Sequence, residues 1–213
     1  MHTMKNQTEP KRANLGCGFL KLKGFDNIDS SSFSKPDRVV DLNSTSWDIP
    51  DNTYDHIVAK DILEHLDDVQ NSIREMYRIS KDGAFWEVQV PHWGCFTMHD
   101  NPTHKKSITP GTFKLYDMEE TIRQFKKGIP VDGSFLEQDI DLEIHGVQFQ
   151  YTDVWDQRFK DPKMTEDEKE YYRNHCINVV ANYVILVKVN KPPRYSRDDI
   201  QKVIDEYLKT YSY

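Results

Sequence analysis

The order of short apolar segments along the first 90 residues limits the fold of this chain more than any other feature. Segments of strand length occupy residues 13–15, 24–29, 38–42, 54–59 and 84–90. Between the last two of them, residues 66–79 carry apolar side chains at helical spacing, and Gly83 is expected to cap that helix. Strands that alternate with helical segments are typical of a parallel sheet. The chain is therefore predicted to be an α/β protein.

Two further apolar segments, at residues 137–149 and 183–189, complete the predicted sheet, and the alternation of the first one slips near Gly146. Charged helices are predicted at residues 165–172 and 197–208. We predict a Rossmann-like, doubly wound, mostly parallel seven-stranded sheet with an irregular lid insertion after the fifth strand.

The domain organisation follows from where this pattern begins and where it breaks. Residues 1–11 are polar, and we expect them to be a disordered lead-in or a cloning remnant. Residues 12–213 are expected to form a single domain. Within it, residues 91–130 form a substrate-side loop or lid, with one short helix at residues 117–127.

Composition excludes several classes of function. The net charge of −7 and the pI near 5.6 argue against broad affinity for nucleic acid. The three cysteines are widely spaced, which argues against a zinc ribbon or a disulfide framework and fits a reducing compartment. No apolar run has the length of a membrane span. We therefore expect a cytoplasmic protein.

A glycine motif, Asn14-Leu15-Gly16-Cys17-Gly18, lies at the end of the first predicted strand, and Asp29 ends the second. Glycines reach positive φ at low cost and let the backbone approach a ligand. A carboxylate at the tip of the next strand can accept hydrogen bonds from ribose hydroxyls. The motif therefore favours nucleotide binding over an ordinary tight turn. The thiol of Cys17 is expected to have no redox role.

Further motifs follow in order, and they are Asp41-Leu42, Trp47-Asp48-Ile49-Pro50-Asp51, Tyr54-Asp55-His56-Ile57 and Leu63-Glu64-His65-Leu66. With the glycine motif and Asn27-Ile28-Asp29, they make the chain resemble a class I S-adenosylmethionine-dependent methyltransferase over about residues 12–90. The resemblance implies S-adenosylmethionine as the cofactor.

The resemblance also implies where the cofactor is held. The turn formed by Asn14, Gly16, Cys17 and Gly18 would approach its methionine part, and Asp29 would hold its ribose. Asp41 and Leu42 would border the adenine. Lys60 and Asp61 would end the fourth strand beside the sulfonium, and His65 would lie near the cofactor unless it only begins a helix.

The chain departs from the family pattern in two ways, because Asn14 replaces the usual acid and the third glycine of the motif is missing. In addition, only residues 19–23 separate Gly18 from Gly24, too few for a full crossover helix. The first crossover is therefore predicted to be a loop or a single turn. The same spacing resembles small methyltransferases of glycan assembly, some of them from large DNA viruses, and such domains are often fused to glycosyltransferases. The chain would suit a domain of such a protein, acting in the host cytoplasm if viral.

A histidine-rich segment, residues 91–104, follows the fifth strand at the edge where this fold places its substrate. His92 and His104, with Asp100, are the candidate catalytic residues, because a neutral histidine can take the proton of a hydroxyl that attacks the methyl group. His145 is a lesser candidate. The alternatives are a divalent-metal site formed by His99, Asp100 and His104, and a purely structural set of hydrogen bonds.

These features together predict an S-adenosylmethionine-dependent O-methyltransferase that acts on a hydroxyl of a sugar or glycan. Aromatic side chains in or near the same region fit a sugar substrate, although they could simply pack the lid. The alternatives are a small-metabolite or protein acceptor and a non-catalytic domain that retains the fold. A divalent metal is possible but not favoured, and nucleic acid is the acceptor that the charge disfavours most.

Overall fold

The computed structural model describes residues 9–211, and these form one seven-stranded sheet with flanking helices. The strands are β1 (Arg12–Leu15), β2 (Asp26–Asp29), β3 (Arg38–Val39), β4 (Tyr54–Lys60), β5 (Ser80–Pro91), β6 (Leu142–Tyr151) and β7 (Val180–Val189). They are arranged in the order β3-β2-β1-β4-β5-β7-β6. The first five strands pair in parallel, and β7 lies antiparallel between β5 and β6. The predicted Rossmann-like, mostly parallel seven-stranded sheet is confirmed.

Seven helices accompany the sheet in the described part of the chain. They are α1 (Val69–Ile79), α2 (Phe96–Asp100), α3 (Pro110–Lys114), α4 (Met118–Lys126), α5 (Asp153–Arg158), α6 (Glu166–His175) and α7 (Arg197–Tyr211). Helix α1 begins after Asp68, whose carboxylate accepts the N–H of Asn71 as an N-cap. The predicted capping box of Thr165 and Glu168 begins α6.

The connection between β1 and β2 contains turns and no helix, as the short spacing predicts. The side chain of Asn14 holds this connection against the sheet by donating to the carbonyl of Leu20 and to Oδ1 of Asn27, both at 3.0 Å. The Asn27 side chain in turn accepts the N–H of Leu22. Two buried asparagines therefore replace the packing that a crossover helix would supply.

The prediction that Lys81-Asp82-Gly83 closes the helix is wrong. Helix α1 ends at Ile79, and Ser80 already begins β5. Gly83 does have the positive φ of a cap, 72°, but it lies inside the strand. There the pairing shifts register between Tyr54 and His56 of β4, and a bulge on β5 absorbs the additional residues.

The insertion after β5 is more regular than predicted. The predicted helix at residues 117–127 is present as α4, and α2 and α3 are two additional short helices. Helix α4 packs against α7 around Met118, Ile122 and Ile200. The predicted irregularity near Gly146 appears as a register shift between β6 and β7.

The two faces of the sheet differ sharply. One row of paired residues crosses five strands and is half-buried or exposed, and it comprises Arg12, His56, Phe85, Lys188 and Glu143. The next row on the opposite face is apolar, and its members Ala13, Ile57, Trp86 and Val187 have no exposed surface. The main core therefore lies on one side of the sheet.

Residues 1–8 of the predicted lead-in lie outside the described residues. Lys11 is already bonded to β4, because its N–H donates to the carboxylate of Asp55 and its carbonyl accepts the N–H of Asp55. Within residues 9–211 no helix is both long and apolar enough to cross a membrane.

Candidate functional site

The glycine turn lies at the carboxyl end of β1, where both glycines have positive φ, 64° for Gly16 and 47° for Gly18. A Cβ on Gly16 would lie 2.4 Å from the side chain of Ile62, so this position must be glycine. A Cβ on Gly18 would meet no atom within 4 Å, because this glycine faces open space. The thiol of Cys17 is buried, which raises its pKa and fits the expected absence of a redox role.

Asp29 ends β2 beside the turn, as predicted. Its Oδ2 accepts the N–H of Gly18 and its Oδ1 accepts the N–H of Ser31, both at 2.8 Å. These bonds fix the carboxylate at the mouth of a cleft of about 170 Å³ that is also lined by Gly16, Asp41, Leu42 and His65. The residues predicted to hold the nucleoside are thus brought together.

A second cleft, of about 450 Å³, opens on the other side of the turn and is lined by Asn14, residues 16–22, Lys60, Asp61 and Gln89. Lys60 pairs with Glu87 at 2.9 Å, and Asp61 accepts the side-chain amide of Gln89 at 2.9 Å. Asp61 has a φ of 51°, which is uncommon for a residue other than glycine. Burial raises the pKa of the Asp61 carboxyl group.

The two clefts meet at Gly16 and fit a ligand that joins a nucleoside to an amino acid. The smaller cleft offers a carboxylate for ribose hydroxyls, and the larger one offers charged groups of both signs. The open side of Gly18 is a cradle that any Cβ would fill. The side-chain nitrogen of Asn14 braces the loop, and Asn14 also lines the larger cleft.

The three predicted catalytic residues have different environments. His92 is buried against Tyr183, and its Nδ1 accepts the N–H of Gly94 at 3.1 Å. Burial lowers the pKa of His92 to about 4, so its ring is neutral. Asp100 is exposed at the end of α2. Only His104 extends towards the end of β4.

His104 meets a carboxylate and a second histidine. Its ring lies 4.7 Å from that of His65, and its Nε2 lies 4.0 Å from Oε1 of Glu64. Across residues 9–211, Glu64, His65 and His104 are the one group of three or more metal-ligating side chains that lie within 4.8 Å of one another. This group leaves out His99 and Asp100, the other two members of the alternative metal site. The exposed ring of His99 instead bonds to the carbonyl of Trp93.

Glu64 is the residue that sequence reasoning missed. From sequence alone, the motif Leu63-Glu64-His65-Leu66 is predicted to begin a helix whose leucines lie in the core. In the structure, the motif folds as a single 3-10 turn at Leu63–His65. The turn directs the Glu64 side chain inward, with no exposed surface. Burial raises the pKa of Glu64 to about 7, and burial together with nearby His104 lowers the pKa of His65. An acid between two core leucines is the signal that could have indicated it.

His145, the lesser candidate, lies on β6 far along the sheet from this group. It contacts the ring of Phe85 and lies 3.2 Å from a carboxylate oxygen of Glu143. The structure therefore gives it a place on the outer face of the sheet.

Comparison with known proteins agrees with this geometry. Residues 26–86 match the model of a family described as a methyltransferase domain. No curated protein sequence matches the chain. Among solved structures, an S-adenosylmethionine-dependent methyltransferase from Archaeoglobus fulgidus is similar with a TM-score of 0.54 and 17% identity, over 84% of this chain and 86% of that one. The [4+2]-cyclase SpnF is similar with a TM-score of 0.51 and 12% identity, over 85% of this chain and 74% of that one.

The structural likenesses show a shared fold, and residues 26–86 match a methyltransferase domain. The matched residues include Asp29, Asp41, Asp61 and the turn that contains Glu64. The chain is accordingly a methyltransferase enzyme, and the similar Archaeoglobus fulgidus protein is described as S-adenosylmethionine-dependent.

Proposed function

We propose that this methyltransferase transfers the methyl group to a hydroxyl of a sugar or glycan. The observation that carries the proposal is the group formed by Glu64, His65 and His104 at the end of β4. A neutral hydroxyl is a weak nucleophile and must lose its proton as it attacks. Lewis-basic nitrogen and oxygen atoms beside the donor cleft meet that need, whereas an amine acceptor would not require them.

The sugar as acceptor is supported by two exposed aromatic side chains. Trp93 and Phe96 follow the carboxyl end of β5, whose Gln89 lines the larger cleft. Their exposed fractions are 44% and 55%, so both rings are accessible from solvent. Aromatic faces pack well against the C–H faces of sugar rings.

We propose distinct roles for the residues around the two clefts. Asp29 holds the ribose, Asp41 and Leu42 border the adenine, and the turn at Gly16–Gly18 receives the amino-acid part of the donor. S-adenosylmethionine supplies an electrophilic methyl group when it is bound. The protein then aligns the acceptor oxygen with that methyl group, which removes much of the entropic cost of their encounter.

The setting of the reaction belongs to the same proposal. A glycan acceptor is made by glycosyltransferases, and we propose that the chain acts together with them. The free thiols of Cys17, Cys95 and Cys176 support a reducing compartment such as the cytoplasm.

Calorimetry with Asp29→Asn tests the donor site. The substitution keeps an acceptor for the N–H of Gly18 but removes the charge. We expect S-adenosylmethionine to bind on the order of 10- to 100-fold more weakly, because hydrogen bonds to a charged group are worth about 1.5–3 kcal/mol. The matched control is Asp156→Asn, an exposed carboxylate that pairs only with Lys160. Equal affinity of the two variants would remove Asp29 from the site.

The acceptor is tested by incubating the protein with S-adenosylmethionine and a panel of sugars, small metabolites and peptides. Mass analysis of the products should find one added methyl group on a sugar hydroxyl. Methylation confined to a metabolite or a peptide would overturn the glycan proposal, and donor binding without any transfer would favour a non-catalytic domain.

A further inference from the structure

The side chain of Glu64 is the least satisfied polar group near the donor clefts. Both carboxylate oxygens are buried and have no hydrogen-bond partner. An isolated carboxylate in the interior is strongly unfavourable unless a cation or hydrogen bonds compensate it. The nearest basic atom is Nε2 of His104 at 4.0 Å, too far for a hydrogen bond. The pocket therefore lacks a positive partner for this carboxylate.

The hydrogen bonds around the two histidines determine which nitrogen of each ring carries the proton. Nδ1 of His104 lies 3.3 Å from the carbonyl of Met98, which can only accept, so Nδ1 carries the proton. The Thr103 hydroxyl donates its one hydrogen to Oδ1 of Asn101, so it accepts from Nδ1–H of His65 at 2.9 Å. Each neutral ring therefore keeps the lone pair on its Nε2.

This arrangement is the one that metal-binding histidines use. A ligating imidazole donates its other N–H to an outer oxygen, which fixes the ring and its tautomer. Here the outer oxygens belong to Thr103 and to the carbonyl of Met98. The side-chain amide of Asn101, an exposed residue, lies 3.2 Å from Nε2 of His104 and is the one group that would have to move aside.

We propose that Glu64, His65 and His104 bind one divalent cation of the zinc class. Two imidazole nitrogens and one carboxylate oxygen are a donor set that suits Zn²⁺ and related transition metals, with a further position left open. Metal–ligand bonds of about 2.0–2.2 Å place ligand atoms about 3.4 Å apart. The three ligand atoms lie within 4.8 Å of one another, so side-chain shifts of about 1 Å complete the site.

The local charge also fits a divalent cation. Glu64 supplies one negative charge, and Asp61, three residues earlier at the end of β4, supplies another. The nearest lysine, Lys105, is turned away and pairs with Asp67 at 2.6 Å. A bound cation would compensate the carboxylate of Glu64 and use the lone pairs of both imidazoles at once.

The role of this cation in catalysis rests on the proposed function. A bound cation would occupy the lone pairs of both imidazoles, so it would replace them as the group that activates the acceptor. A metal with an open position acts as a Lewis acid and lowers the pKa of a bound hydroxyl, which would activate the sugar oxygen. Metal binding itself does not depend on that role, so the two proposals can fail separately.

The test measures metal binding by the full chain after chelator treatment and dialysis. Zn²⁺ is titrated by calorimetry, and Co²⁺ serves as a spectroscopic probe through its visible absorption bands. We expect one equivalent to bind and the melting temperature to rise, because the metal binds only the folded state. Glu64→Gln should fold, since it removes an unpaired buried carboxylate, but should bind Zn²⁺ on the order of 100-fold more weakly.

His104→Gln is a second variant, and it should lose the same binding. The matched control is His99→Gln, which removes a histidine of the same segment from outside the group. Absence of a bound equivalent, or equal binding by Glu64→Gln and His99→Gln, would overturn the proposal. If the wild type binds Zn²⁺ but methylates no sugar, the site stands and the proposed function fails.

Discussion

His92 and Glu64 are both buried near the candidate site, but the two side chains are satisfied to different degrees. His92 has one ring nitrogen bonded to a backbone N–H, and its ring contacts the rings of Trp93 and Tyr183. The carboxylate of Glu64 has no hydrogen bond, and its contact with a basic group is Nε2 of His104 at 4.0 Å. A satisfied buried polar group is typical of structure, whereas an unsatisfied one needs a ligand to explain it. His92 therefore contributes to stability, and Glu64 to the site.

The burial of His92 predicts a loss of stability in acid. Its pKa falls from an ordinary value of 6.5 to about 4 in the folded state. The unfolded chain therefore binds a proton first, so stability is fully present above pH 6.5 and is lost as the pH falls towards 4. At pH 5 the expected loss from this group is about 2 kcal/mol.

Urea unfolding at pH 7 and pH 5 measures this effect against His92→Asn, which keeps a neutral acceptor for the N–H of Gly94. The variant should lose about 2 kcal/mol less than the wild type between the two pH values. His99→Asn, which replaces an exposed histidine, should behave as the wild type. An acid response in His92→Asn that equals the wild type would show that His92 is solvated in solution.

At the scale of elements, α1 holds the long connection between β3 and β4. The guanidinium of Arg78 donates to both carboxylate oxygens of Glu75 and to the carbonyls of Trp47 and Ile49. Glu75 also accepts the N–H of Trp47 at 2.7 Å. Burial alone would raise the pKa of Glu75, but the hydrogen bonds from Arg78 and Trp47 outweigh it and lower that pKa. The connection is thus fixed by one charged pair instead of a helix.

Arg78→Met is expected to cost about 3 kcal/mol of unfolding free energy, because it leaves the buried carboxylate of Glu75 and two carbonyls without their partner. The matched control is Arg74→Met, an exposed position on the same helix, which should change stability by less than about 0.5 kcal/mol. Adding Glu75→Gln to Arg78→Met should recover part of the loss. Urea unfolding at pH 7 compares the variants, and equal losses for Arg78→Met and Arg74→Met would contradict this account.

Sequence predicts well those elements whose formation is determined by residues close together in the chain. Apolar periodicity located the strands and α1, and the five residues after Gly18 ruled out a crossover helix. The prediction for Gly83 was wrong, because a glycine with positive φ can form a bulge as well as a helix cap. Only the pairing of the strands distinguishes the two. Glu64 and His104 are 40 positions apart, and no local pattern predicts that the 3-10 turn and the segment after α2 bring them together.

At the scale of the whole molecule, one face of the sheet is buried, and the row of residues that crosses the other face is half-buried or exposed. Phe85 and Trp86 are neighbours on β5 and point to opposite faces, with exposed fractions of 41% and 0%. The indole N–H of Trp86 also donates to the hydroxyl of Ser80 at 2.8 Å. On the outer row, Lys188 pairs with Glu143 at 3.7 Å. Stability should therefore depend almost entirely on the inner face.

The pair Phe85→Ala and Trp86→Ala tests this asymmetry within one strand. Trp86→Ala should cost about 3–5 kcal/mol, because it removes a fully buried ring and leaves a cavity. Phe85→Ala removes a ring that already contacts solvent, and it should cost about 1 kcal/mol. Urea unfolding of the full chain at pH 7 measures both free energies. If Phe85→Ala is as costly as Trp86→Ala, the outer face is covered in solution, and the core lies on both sides of the sheet.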